Sequence, residues 1–124
     1  MLRDAPITTF LATADPDRAR AFYEHTLGLR FVRDDGFALL FELGGGVPLR
    51  IARVERAAPP PYTALGWRVA DVTPAVRALA AVGVRFERYD GMEQDDDGVW
   101  TSPGGGRIAW FRDPDGHILS ISST

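Results

Sequence analysis

Cationic chemistry in this 124-residue chain is carried entirely by arginine, since none of its 14 basic side chains is a lysine. Two of them, Arg50 in Leu49-Arg50-Ile51 and Arg68 in Trp67-Arg68-Val69, sit inside apolar, strand-like stretches. A guanidinium set on a strand among such neighbours suits a carboxylate, phosphate or enolate oxygen. Its other uses are an internal ion pair, for Arg50 with Glu42, or a place at the rim of a cavity. There are no cysteines and only two histidines, His25 and His117. Thiolate zinc sites, iron–sulfur clusters, disulfides and cysteine nucleophiles are therefore excluded, and an all-protein metal site would have to lean on carboxylates. The run Glu93-Gln94-Asp95-Asp96-Asp97 lacks the alternating ligand spacing of a calcium loop, so a solvated lid or dimer-edge loop is expected there. Gly44–Gly46 and Gly104–Gly106 lie between strands with no helix after them, and they read as hairpin turns rather than phosphate loops.

The elements that position these residues follow from an internal repeat. Thr13-Ala14-Asp15 falls on Val69-Ala70-Asp71, and Gly28-Leu29-Arg30-Phe31 on Gly83-Val84-Arg85-Phe86. In the first copy a strand over residues 7–13 precedes Asp15-Pro16, an N-cap followed by proline at the first helical position. Phe22, Tyr23, Thr26 and Leu27 recur at helical spacing, and Gly28 ends the helix. Strands over 30–33, 37–43 and 49–54 complete a β-α-β-β-β unit. Ala57-Ala58-Pro59-Pro60-Pro61 is a stiff linker. The second copy repeats the plan over 62–122, with a strand at 62–69, a helix from Thr73-Pro74 and strands at 84–89, 99–101, 107–112 and 117–122. The fold class is α+β: one domain of two βαβββ modules, about 7–54 and 62–122, forming a curled, mostly antiparallel sheet around a cavity.

Period-two alternation then assigns the faces. Leu119 and Ile121 suit the helix side, which turns Ile118, Ser120 and Ser122 into the cavity. Leu65, Trp67 and Val69 do the same, leaving Ala64, Gly66 and Arg68 facing inward, and the repeat register sends Arg50 inward too. Phe10, inward on the first strand, and Trp100, beside the acidic loop, are candidates for stacking on a planar ligand, with core packing as their alternative use. Trp67 is expected between sheet and helix. His25, near a helix end, reads as solvated, and His117 as a structural or rim residue, its side chain opposite Ser120.

Composition narrows the partners. The chain is 45% hydrophobic and 25% charged, with 17 acidic residues giving a net charge of -3. Arginines alternate with acids instead of forming a basic stripe, so nucleic acid is set aside. No apolar run approaches the roughly 20 residues that span a bilayer, and residues 1–6 lack signal-peptide shape, so the expectation is a cytoplasmic protein with no membrane partner.

With Asp15 through Ala21-Phe22-Tyr23, Leu27-Gly28-Leu29, Val69-Ala70-Asp71-Val72 and Phe111-Arg112-Asp113-Pro114-Asp115-Gly116-His117-Ile118-Leu119, nearly the whole chain resembles the vicinal oxygen chelate superfamily. That group includes glyoxalase I, extradiol dioxygenases and bleomycin-resistance proteins. The resemblance implies paired modules, usually completed as a homodimer. In metal-using members, one inward position on the first and one on the last strand of each module supply ligands; they map here to Thr8, Arg50, Ala64 and Ser120. None is a histidine or carboxylate, so the expectation is no metal and no cofactor. The implied activity is binding or sequestering of a small organic ligand, anionic or aromatic, by Arg50, Arg68, Phe10, Thr8, Ser120 and Trp100, in the manner of resistance proteins. The alternative is an enzyme of the superfamily, a lyase, isomerase or dioxygenase, using Arg50 as oxyanion stabiliser with Glu42 as base, or a metal held by Glu42 or Glu55. An accessory subunit is a third possibility.

Overall fold

A computed structural model describes all residues from Met1 to Thr124. The chain divides into two compact units, Met1–Ala58 and Pro59–Thr124, with the boundary inside the proline-rich segment. No helix is long and apolar enough to cross a membrane.

In the first unit β1 (Thr9–Thr13) leads into α1 (Pro16–Arg20), which continues as a π-helical stretch, Ala21–Thr26. The Asp15 carboxylate caps α1 by accepting from the Arg18 N–H at 3.2 Å. Leu27 N–H reaches back five residues to Phe22 C=O at 2.9 Å, and Gly28, at φ 74°, turns the chain out of the helix. Strands β2 (Arg30–Asp34), β3 (Ala38–Glu42) and β4 (Pro48–Arg53) follow. The sheet order is β1-β4-β3-β2, parallel between β1 and β4 and antiparallel elsewhere. The helical crossover lets β1 and β4 run parallel.

Alternation works as expected here. Leu39, Phe41, Leu49 and Ile51 are buried on one face, where Tyr23 packs its ring 5.9 Å from Phe41. Burying side chains of this size contributes roughly 1.5–3 kcal/mol each. The other face carries Phe10, Leu40 and Arg50, side by side on β1, β3 and β4.

The second unit repeats the topology, with β5 (Thr63–Arg68), α2 (Val72–Ala81), β6 (Trp100–Thr101), β7 (Arg107–Arg112) and β8 (Ile118–Ser123) in the order β5-β8-β7-β6. Helix α2 packs on β7 and β8 through the fully buried Val72 and Val76. Both sheets are open, four-stranded and mixed, each with one parallel pairing. The two glycine triplets form tight turns between strands, as expected: Gly46 N–H bonds Leu43 C=O, and Gly105 N–H bonds Ser102 C=O.

One element differs from expectation. The stretch 84–89 makes no regular strand, only a bridge between Phe86 and Phe111 and a bond from Glu87 N–H to Trp110 C=O. The carboxamide of Gln94 takes the ladder's place: it accepts from Tyr89 N–H at 2.8 Å and donates to Glu87 C=O and Gly98 C=O, each at 2.9 Å.

Candidate functional site

In the first unit, Thr8 precedes β1 and is exposed, so it stands beyond the strand that was to position it. Phe10 lies beside Arg50 on the face opposite α1, and at 66% exposure it is not packed into a core. Arg50 is paired internally, but not with Glu42. Its Nη2 lies 2.9 Å from Asp35 Oδ2, and Glu42 faces Arg30 at 3.8 Å. Asp35 sits in the β2–β3 turn, where its other oxygen accepts from the Phe37 and Ala38 N–H groups. The Ala38 N–H, then Arg50 and the Phe37 N–H, hold the Asp35 carboxyl down at about 2. Arg50 therefore clamps a turn, and Glu42 is not placed to serve it as a base. Sequence spacing missed Asp35 because the turn folds it back across β3 and β4.

In the second unit, β5 bulges at Ala64. Thr63 pairs with Ile118 and Leu65 with Leu119, leaving Ala64 as the extra residue. Gly66 lies beside Ser120, and Arg68 beside Ser122. Ser120 is buried on β8 and faces Trp110 on β7, while Ser122 faces Ile108, whose other neighbour is Trp100. Gly66, Arg68, Ser120, Ser122, Ile108, Trp110 and Trp100 thus share the face opposite α2.

Three aromatic rings run together there. Trp110 stands 5.5 Å from Tyr89 in an edge-on arrangement and 6.4 Å from Trp100. All three are half-buried. Burial also raises the Tyr89 hydroxyl above its usual pKa, with the nearby Glu87 adding to the effect and Arg112 opposing it. Trp110 and Tyr89 were not singled out from sequence, yet the alternation that placed Ser120 puts Trp110 on the same face. Trp67 is on the α2 face as expected, but it is only half-buried, stacked 6.5 Å from Phe111.

The histidines take structural places. His25 is exposed at a helix end, 3.6 Å from Glu24. His117 is buried and tied to Asp113 twice, through its N–H at 2.8 Å and Nδ1 at 2.9 Å.

The acidic loop is held at several points rather than standing free in solvent. Asp95 accepts from Asp97 and Val99 N–H groups, Arg77 of α2 grips Asp97 at 3.1 Å, and Arg88 donates to Asp96 C=O at 2.7 Å. Between it and α2 lies a pocket of about 190 Å³ floored by Val76, Ala80, Val84 and Phe86. That is below the 300–1,000 Å³ or so of a drug-sized site.

A sequence model of the Glyoxalase/Bleomycin resistance protein/Dioxygenase superfamily matches residues 6–121. The chain belongs to this superfamily. No curated protein matches the sequence. Among solved structures, a superfamily member from Sphaerobacter thermophilus DSM 20745 is similar at TM-score 0.76 and 20% identity, with 100% of each chain covered. A lactoylglutathione lyase from Agrobacterium tumefaciens is similar at TM-score 0.72 and 19% identity, over 97% of this chain and 93% of that one. An integron cassette protein from the mobile metagenome of Halifax Harbour sewage outfall follows at TM-score 0.72 and 16% identity, over 98% and 99%. At such identities the likeness speaks for the fold.

The resemblance maps the ligand positions of metal-using members onto Thr8, Arg50, Ala64 and Ser120. Here the side chains at those positions are two hydroxyls, a guanidinium bound to a carboxylate, and a methyl group. No three His, Asp or Glu side chains converge anywhere in the chain. None of these four side chains is the histidine or carboxylate that a divalent cation takes as a ligand at about 2.0–2.3 Å.

Proposed function

We propose that this superfamily member binds a small planar organic molecule without a metal ion, on the face of the second sheet opposite α2. The observation that carries the proposal is the Tyr89–Trp110–Trp100 row, whose rings lie 5.5 and 6.4 Å apart beside the buried hydroxyl of Ser120. Half-buried aromatic rings on a sheet offer flat apolar area for stacking, and a hydroxyl beside them orients a polar group. Such a protein sequesters its ligand, and Trp100, Trp110 and Ser120 carry the contact. The fold is completed as a homodimer in the cytoplasm. The enzyme alternative draws less support, since Asp35 occupies the guanidinium that would stabilise an oxyanion.

The test is quenching of tryptophan emission, in EDTA-treated protein, by planar aromatic compounds of increasing ring size. Saturable quenching that Trp110→Ala abolishes is expected. Binding that returns only when Zn²⁺, Mn²⁺ or Fe²⁺ is restored refutes the metal-free proposal. Sedimentation at micromolar concentration reads the dimer.

A further inference from the structure

We infer that the ligand of this face is a planar aromatic monoanion whose carboxylate is paired by Arg68, an inference that rests on the aromatic-face reading above. It starts from the charges the face presents. Its strands contribute two cations, Arg68 on β5 and Arg112 on β7, and no aspartate or glutamate at the positions that share the face. Arg112 is spent: its Nε lies 2.6 Å from Glu87 Oε1, and its Nη1 donates to Gly116 C=O at 3.1 Å. Arg68 joins none of the ion pairs or side-chain hydrogen bonds of the chain and is exposed. One positive charge is left over on the face that carries the three aromatic rings.

The first unit shows that the repeat does not demand this. On its corresponding face Arg50 is matched by Asp35 at 2.9 Å and Arg30 faces Glu42 at 3.8 Å, while Arg33, opposite Leu40, has no ion pair. The residue that falls on Arg68 in the repeat is Ala12. A single open guanidinium suits one carboxylate, which it can engage with two parallel N–H···O bonds. A dianion would leave one charge unmatched, and a cation would meet repulsion.

Register sets the ligand's length. Arg68 stands beside Ser122 and then Ile108, while Gly66, Ser120 and Trp110 form the adjacent row. Two strand spacings and one two-residue step separate the Arg68 and Trp110 backbones by about 12 Å. An extended arginine reaches roughly half of that, so the carboxylate belongs about 5–7 Å from the centre of a ring stacked on Trp110. Ser122 and Ser120 lie between the two on β8 with small side chains, and Gly66 beside Ser120 has none, so the floor stays low. A bicyclic arylalkanoate has these dimensions.

The experiment is isothermal titration of three probes of one shape, 3-(2-naphthyl)propanoate, its primary amide and 3-(2-naphthyl)propylamine, into wild type, Arg68→Gln and Trp110→Ala at low salt. Wild type should prefer the carboxylate to the amide by about 10-fold and bind the amine weakest. Arg68→Gln should lose that preference while holding the amide as wild type does, and Arg68→Lys should restore part of it. An unchanged carboxylate preference in Arg68→Gln overturns the inference and leaves the aromatic face standing. Equal binding of the three probes to wild type overturns it as well. Failure of all three to bind wild type, or affinities untouched by Trp110→Ala, overturns the aromatic-face reading beneath it. Arg68 is exposed and unpaired, so its variants should melt with wild type.

Discussion

Gly66 offers a sharp test of the packing beneath the proposed ligand face. A Cβ added there would lie 2.3 Å from Ser120 Oγ, 3.5 Å from the Ser120 carbonyl oxygen and 3.7 Å from Ser120 Cβ. Only the first contact is impossible, and it involves one rotatable atom. Ser120 is 6% exposed, so turning its hydroxyl away means moving it within a packed strand. Forcing an extra methyl into such a place costs about 1–3 kcal/mol. Against that, Gly→Ala in an extended segment gains about 0.4–1 kcal/mol by restricting the unfolded chain. The balance for Gly66→Ala is a loss of about 1 kcal/mol, or roughly 4 °C in Tm for a chain of this size. In Gly66→Ala/Ser120→Ala the impossible contact is gone and the remaining ones are ordinary. The double variant should then be more stable than the sum of its parts by about 1–2 kcal/mol. Urea denaturation of wild type, both single variants and the double variant, followed by far-UV circular dichroism, measures the coupling. A Gly66→Ala protein as stable as wild type, or a coupling of zero, refutes the reasoning that Gly66 makes room for the Ser120 hydroxyl.

Three other outcomes are expected. Gln94→Ala removes three bonds to main-chain groups, so it should cost about 2–3 kcal/mol and speed hydrogen exchange at the Tyr89 amide, which Gln94 Oε1 accepts from at 2.8 Å. Asp35 has its pKa lowered from 3.8 to about 2, so its contribution is fully present above the unfolded value and is lost as pH falls through about 2. Urea midpoints taken between pH 6 and pH 2 should fall more steeply for wild type than for Asp35→Asn below about pH 4. Asp113→Ala leaves two N–H groups and the buried His117 Nδ1 without their acceptor, so a loss of about 3 kcal/mol in the same denaturation assay is expected.

Much of the fold is legible because the repeat and the alternation are local signals. Asp15 caps α1 and Gly28 ends the helical stretch where propensity puts them, and β7 spans Arg107–Arg112 as its alternation implies. Legibility fails where a side chain substitutes for backbone. The segment 84–89 has strand-like composition, but its groups at Glu87 and Tyr89 are satisfied by the Gln94 amide, and nothing in the pattern of residues 84–89 reveals a glutamine five positions downstream. The same applies to Arg50. Its face follows from period two, but its partner depends on the path of the turn at Asp34-Asp35-Gly36, where Asp34 also accepts from Gly36 N–H and pairs with Arg53. Ala64 keeps its strand but loses its cross-strand partner to a bulge, a one-residue irregularity that alternation cannot announce.

What separates the two units chemically is compensation rather than topology. Both have the strand order first-fourth-third-second, a helix over one face and a glycine turn before the last or next-to-last strand. In the first, both arginines of β4 are matched to turn carboxylates, Arg50 to Asp35 and Arg53 to Asp34. A charge already matched, with its partner fixed by backbone N–H groups, has little left to offer a ligand, because a newcomer would have to displace a chelated carboxylate. In the second, the acids gather in the loop that follows residue 89, where Asp95 and Asp97 engage Arg107 and Arg77 instead of the sheet face. Arg68 is left open on the face of the aromatic row as a result. Moving a carboxylate onto that face, as in Ser122→Asp next to Arg68, should match Arg68 as Asp35 matches Arg50 and abolish the preference for an anionic ligand while leaving stacking on Trp110 in place. If Ser122→Asp still favours the naphthylpropanoate over its amide, the open charge of Arg68 is not what selects the ligand.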